Sequence, residues 1–137
     1  MGYVIADIIL KNFNDILKTK MGFTEKPEIR QTKVKAIVDT GAGTLVINEE
    51  IRRELGLELD GEKPVRLANG VREIVKIADP VEITWKNRKM MCQPWYIPGA
   101  GEVLLGAIPL EDMDLIVDPG QQELTGRHGE EAIGLLY

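Results

Sequence analysis

Hydrophobic residues in this chain recur mostly at every second position, in short runs broken by turn formers, and only briefly at helical spacing. Tyr3 to Leu10 alternates and is rich in β-branched residues, which predicts a strand. The polar segment KNFNDILKTKMGFTEKPEIRQ follows, with turn formers Asn12, Asn14, Gly22 and Pro27, and reads as a long hairpin connection. Thr32 to Val38 predicts a second strand, which runs into Asp39-Thr40-Gly41-Ala42-Gly43. Asn48 is placed to cap a short helix: Glu49 and Glu50 suit the positive end of its dipole, Ile51 and Leu55 share one face, and Gly56 is a stop.

Pro64 to Ala68 and Val71 to Ile77 flank Asn69-Gly70, a hairpin signal for a type I′ turn with positive φ at both central residues. Val81, Ile83 and Trp85 alternate with polar residues, Lys86-Asn87 turns the chain, and Arg88 to Ile97 returns as a strand ended by Pro98-Gly99. Glu102 to Gly106 is an apolar run stopped by glycine, Ile108 to Asp112 predicts a brief helix, and Leu115 to Val117 predicts a strand closed by Asp118-Pro119-Gly120. Asp60-Gly61 also reads as a turn, and Glu130 to Tyr137 ends in apolar residues expected to pack. Many short strands with one or two short helices indicate a mainly β protein.

A chain of 137 residues fits one domain, 1–137, and at that size folding buries roughly two-thirds of the unfolded surface. With 44% apolar and 28% charged residues it has the composition of an ordinary globular protein. The net charge of -5, with Lys and Arg scattered singly, offers no basic stripe and argues against nucleic acid. Cys92 is the only cysteine and His128 the only histidine, so an intrachain disulfide is excluded, Cys92 reads as buried and structural, and neither a metal nor a cofactor is expected. The N-terminal MGYVIADIIL is too short to cross a bilayer, lacks a basic leader and has Ala6 where a myristoylation motif wants Ser or Thr; the expectation is a cytoplasmic protein with no membrane partner.

Three chemistries fit an acid at a strand end followed by small residues. Asp39, Thr40 and Gly41 are turn formers, with Gly accepting positive φ. Asp39 to Thr44 is a candidate phosphate loop resembling the first phosphate motif of actin-like and sugar-kinase ATPases, although the chain lacks their two large lobes and a following Lys. The third reading is a catalytic carboxylate.

AIVDTGA at Ala36 to Ala42, the hairpin around Asn69-Gly70 and VLLG at Val103 to Gly106 together resemble the retroviral-type aspartic proteases, and more closely the small retropepsin-like proteins of microbes. The resemblance implies a closed retropepsin-like (acid protease) β-barrel with one or two short helices and a flap hairpin. It also implies an aspartic endopeptidase acting on protein or peptide substrates as a homodimer, because only one Asp-Thr-Gly is present and a dyad needs two carboxylates. Peptide hydrolysis without a metal needs a base to take a proton from water and an acid to give one; two carboxylates sharing one proton supply both.

Carried over residue by residue, the resemblance makes Asp39 the acid/base and has Thr40 donate its hydroxyl across the axis. Gly41 allows close backbone approach and offers a carbonyl to substrate. Ala42 and Gly43 line the cleft floor, and Ala68, Asn69 and Gly70 close over an extended peptide. Gly106 lets Leu104-Leu105 pack behind the catalytic loop, and the C-terminal segment Glu130 to Tyr137 joins the dimer interface. Many retroviral proteases pair an Asp after the motif's Ala with an Arg after the later glycine; here those positions are Gly43 and Ala107, so that anchor is absent and Gly43 adds backbone freedom. The alternative from another class is a non-catalytic dimeric peptide-binding or assembly module of the same fold. Trp85, Trp95 and Tyr96 read as strand packing, Met90-Met91 as core filling, His128 as an exposed tail residue and Glu49-Glu50 as helix-terminal electrostatics.

Overall fold

The computed structural model describes residues 3–23, 28–134 and 136. Pro27, Leu135 and Tyr137, expected to turn or to pack, lie outside these residues. The elements are β1 (Ile5–Asn12), α1 (Phe13–Met21), β2 (Gln31–Val38), β3 (Val46–Ile47), α2 (Glu49–Leu55), β4 (Leu59–Arg66), β5 (Arg72–Ala78), β6 (Val81–Trp85), β7 (Arg88–Cys92), β8 (Trp95–Tyr96), β9 (Leu104–Leu105), α3 (Ala107–Asp112), β10 (Leu115–Asp118) and β11 (Glu123–Gly126). Nine strands make one sheet in the order β4-β5-β8-β3-β9-β2-β1-β6-β7, curled into a half-barrel, and β10 and β11 form a separate hairpin.

Alternation drives the core. Ala6, Ile8, Leu10 and Asn12 point inward from β1, and Val81, Ile83 and Trp85 do so from β6. They meet Leu45, Ile47, Leu55, Leu57, Leu105 and Met113, all within 1% of full burial. Each such Leu or Ile contributes about 1.5–3 kcal/mol from area removed from water.

The segment after β1 corrects the sequence reading. It holds α1 rather than a plain connection, so the described residues contain three short helices where one or two were expected. Asn12 is not a turn former but a cap. Its Oδ1 accepts the Asp15 N–H at 3.0 Å while its Nδ2 donates to the Leu55 carbonyl at 2.8 Å, tying α1 to the end of α2. Arg30 then holds the buried Asp15 carboxylate through Nε at 2.8 Å and Nη2 at 2.9 Å, a two-pronged ion pair that keeps the Asp15 carboxyl below its ordinary value. The guanidinium lies over Gly56, the left-handed C-cap of α2, where a Cβ would come within 1.8 Å of it.

Other boundaries moved for local reasons. Pro94, fully buried, divides the expected strand Arg88 to Ile97 into β7 and β8. Asp60-Gly61 is not a turn but the site of a register shift inside β4, with Gly61 at φ 108°. Pro64 is tolerated because β4 ends the sheet. The β4–β5 hairpin forms, yet its turn is not type I′. Gly70 donates to the Leu67 carbonyl at 2.9 Å and Leu67 to the Val71 carbonyl at 2.8 Å, and of the loop residues only Gly70 takes positive φ, which is a type I turn followed by a glycine bulge. Asn69 stabilises it by accepting the Val71 N–H on its side chain at 3.0 Å. The described tail, Glu130 to Gly134 and Leu136, is exposed, and hydrogen bonds hold it: Asn87 donates to the Glu130 carbonyl, Arg88 to that of Glu131, and the Ile133 N–H to the Asp114 carboxylate.

Two expected outcomes test this frame. Asn12→Ala removes a cap and an inter-helix hydrogen bond, and should cost about 1–3 kcal/mol in urea unfolding; a loss indistinguishable from zero would contradict the double role. At the start of α2, the Tyr96 hydroxyl and Arg52 both donate to Glu49 and push its carboxyl down from 4.5 to about 2. A depressed value means the contribution is complete above the ordinary value and is lost as pH falls through the folded one. The melting-temperature gap between wild type and Glu49→Gln should therefore hold steady above about pH 5 and close toward about pH 2. A gap that stays constant through that window would show the carboxylate to be uninvolved.

Candidate active site

The loop Asp39 to Thr44 connects β2 to β3, and its position follows from strand pairing. Strand β9 runs parallel to β2, with Ile37 opposite Leu104 and Val38 opposite Leu105, and antiparallel to β3 on its other side. The pairing continues into the loop: the Asp39 N–H donates to the Leu105 carbonyl at 3.0 Å. Beyond Gly106, Ala107 N–H donates to the Ala42 carbonyl at 2.8 Å and Ile108 N–H to the Gly43 carbonyl at 3.1 Å. The start of α3 thus supplies the donors that a surface loop would otherwise find in water.

Gly106 makes this approach possible. A Cβ there would lie 2.4 Å from the Thr44 carbonyl oxygen and 2.5 Å from that of Ala42, both rigid backbone atoms. The expected role of Gly106, close packing behind the loop, has this steric basis.

Asp39 itself is half-buried. Its Oδ1 accepts the Gly41 N–H at 2.9 Å and its carbonyl accepts the Ala42 N–H at 3.1 Å, so the carboxylate is held by its own loop with one oxygen left over. Gly41 does not use positive φ, as a plain turn reading supposes; its lack of a side chain leaves room for the carboxylate, since a Cβ would sit 3.2 Å from Oδ1. Thr40 and Gly41 are exposed, Ala42 and Gly43 half-buried. Among the described residues the Thr40 hydroxyl has no hydrogen-bond partner and no second carboxylate pairs with Asp39.

Gly43 is less free than its residue type suggests. The Trp95 indole packs against it, and a Cβ would fall 2.9 Å from the ring. Lys63 of β4 stands 5.9 Å from the centroid of the same indole, so Trp95 links the Asp39 loop to the β4–β5 hairpin. Ala68, Asn69 and Gly70 are exposed at the hairpin tip. Sequence reasoning placed Trp95 in strand packing and missed this bridge.

It also missed the cleft beside Asp39. Tyr3, Ile37, Val38, Asp39, Ala100, Gly101, Glu102 and Leu104 line an open depression on one side of the carboxylate. The available signal was the acid at the head of the apolar run before Gly106. His128 is not a bare tail residue: it pairs with the buried Asp114 at 2.5 Å, and Arg88 donates to the carbonyls of Met113, Asp114, Gly129 and Glu131. The half-buried Cys92 thiol is pushed up to about 11 by burial, which makes it a poor nucleophile. Among the described residues no group of His, Cys, Asp and Glu is arranged to hold a metal ion, and no helix is long and apolar enough to cross a membrane.

The model of the family "gag-polyprotein putative aspartyl protease" matches residues 26–112, more than half the chain, from before β2 to the end of α3. The chain belongs to the retropepsin-like aspartic proteases. Among solved structures, the retroviral protease-like domain of Ddi1 from Leishmania major is similar at TM-score 0.57 and 16% identity, covering 91% of this chain and 88% of that one. EIAV protease, complexed with the inhibitor HBY-793, is similar at TM-score 0.51 and 18% identity, covering 81% and 88%. A search of curated proteins finds no match in sequence. At such identities the likeness establishes the fold, while the family match spans both the Asp39 loop and Gly106.

Gly106→Ala should cost about 3 kcal/mol or more in urea unfolding, or prevent folding, because two backbone carbonyls cannot move aside. Wild-type stability in that variant would show that the loop and α3 do not depend on this contact.

Proposed function

We propose that the protein is an aspartic endopeptidase whose active species is a homodimer, with one Asp39 from each protomer forming the dyad. The observation that carries this reading is the Asp39 loop itself: a carboxylate held by the Gly41 N–H, on a backbone buttressed by β9 and α3, next to an exposed Thr40 hydroxyl that has no partner within the described residues. Such a loop is rigid where it is anchored and open where a twin would meet it.

In the dimer the two curled sheets close around the axis, and each Thr40 hydroxyl donates to the partner's loop backbone. The Asp39 carboxyls lie about 3 Å apart, where like charges disfavour double ionisation and one proton is shared. The ionised carboxylate takes a proton from the water between them as its oxygen attacks the peptide carbonyl carbon. The protonated one gives its proton to the carbonyl oxygen, and collapse of the intermediate passes a proton to the leaving amine. The β4–β5 hairpin acts as the flap. Ala68, Asn69 and Gly70 bond the backbone of an extended peptide, while Ala42 and Gly43 form the cleft floor and the Gly41 carbonyl accepts from substrate. The exposed tail, with Ile133 and Leu136 outward, joins the interface.

Asp39→Asn should lower kcat/KM on unfolded casein by about a thousandfold or more while sedimentation still reports a folded dimer. Turnover equal to wild type sinks the proposal, as does an active species that sediments as a monomer. Absence of cleavage by wild type across pH 4 to 7, alongside measurable peptide binding, favours a dimeric binding module of the same fold.

A further inference from the structure

We infer that the cleft beside Asp39 selects a basic side chain, lysine or arginine, next to the scissile bond, with Glu102 as the residue that reads its charge. This rests on the peptidase reading above and adds to it the class of substrate.

The cleft has two kinds of surface. Tyr3, Ile37, Val38 and Leu104 give it apolar walls, and Glu102 is the one charged side chain that lines it besides Asp39. Among the described residues Glu102 is exposed and forms no ion pair and no side-chain hydrogen bond, so its carboxylate is available to a ligand in the cleft. An acid without a partner at the mouth of an apolar cleft is matched by a side chain with a long apolar stem and a cationic head. The stem covers the walls and the head remains at the rim.

The backbone around Glu102 favours its access. The chain turns after Ile97, where the Ala100 N–H donates to the Ile97 carbonyl at 3.0 Å, and neither Gly99 nor Gly101 has a neighbour within 4 Å of where a Cβ would stand. Val103, immediately after, is buried, so Glu102 is the last exposed residue before the chain enters the core. The field of the site has the same sign. A dyad that shares one proton carries one negative charge, and Glu102 adds a second on the same side. An acidic substrate residue there meets repulsion from both, which excludes it more firmly than an apolar pocket would.

The test uses the full-length protein and a set of peptides identical except for the residue on either side of the cleaved bond: lysine, leucine or glutamate. Wild type should cleave the lysine peptide with kcat/KM about tenfold above the leucine peptide, and the glutamate peptide least. Glu102→Gln should reduce the lysine-to-leucine ratio about tenfold, and Glu102→Lys should reverse the order of lysine and glutamate. Raising the salt concentration should shrink the wild-type ratio, since the pair is partly exposed to solvent. A ratio that is the same in wild type and both variants, or a wild type that prefers leucine, overturns the inference while leaving the peptidase reading intact. If wild type cleaves none of the peptides, the peptidase reading fails instead. The pocket is then decided by fluorescence anisotropy of the same labelled peptides: selective binding of the lysine peptide that Glu102→Gln abolishes upholds it, and equal binding of all three ends it.

Discussion

The contact on which the rest of this structure depends is the one at Gly106, where backbone meets backbone with no side chain between. It lets β9 run alongside β2 and then turn directly into α3, whose first N–H groups reach the Ala42 and Gly43 carbonyls. An isolated loop of small residues would carry a large conformational entropy and satisfy its polar groups with water. This one has its donors and acceptors taken up by strand β9 and by the start of a helix. The orientation of the Asp39 carboxylate is a consequence of that anchoring, since only a fixed backbone can hold Gly41 N–H on Oδ1.

A second layer of constraint connects that loop to the hairpin above it. The Trp95 indole packs on Gly43, and Lys63 extends the contact to β4. An indole packed on a glycine has no desolvated charge to compensate. Elsewhere the chain places its polar groups where they tie elements together. Asn12 and the Asp15–Arg30 pair hold α1 to α2, and Arg88 with Asp114 holds the segment that follows β11. One polar atom of that last cluster, Arg88 Nε, is buried without a partner among the described residues, while the other two guanidinium nitrogens accept none and donate to four carbonyls.

Much of this was legible in the chain. Period-two alternation identified β1 and β6, the Asn69-Gly70 signal located β4 and β5, and the Asn48 cap with the Gly56 stop identified α2 to the residue. The family was legible as a resemblance carried by Asp39-Thr40-Gly41, Asn69-Gly70 and the run ending at Gly106. What went unread has common causes. Asn12 suits a turn and a helix cap equally well, and only the presence of Leu55 nearby selects the cap. Pro94, itself buried, divides a strand because it has no N–H to add to the ladder, and β11 has too short an apolar pattern to stand out. Asn69-Gly70 names a hairpin correctly but leaves open which of two turns closes it, since both use glycine at positive φ.

The sequence by itself singled out the candidate site: a single acid in a run of small residues at a strand end, Asp39 to Gly43. Residue type and order carry that information because they are local. Only the tertiary structure decided what surrounds that acid, bringing Leu105 and Gly106 behind it, Trp95 beneath Gly43, and Tyr3 and Glu102 to the same cleft from positions almost a hundred residues apart. Those neighbours are set by strand pairing and core packing over long sequence separations, which no local pattern encodes.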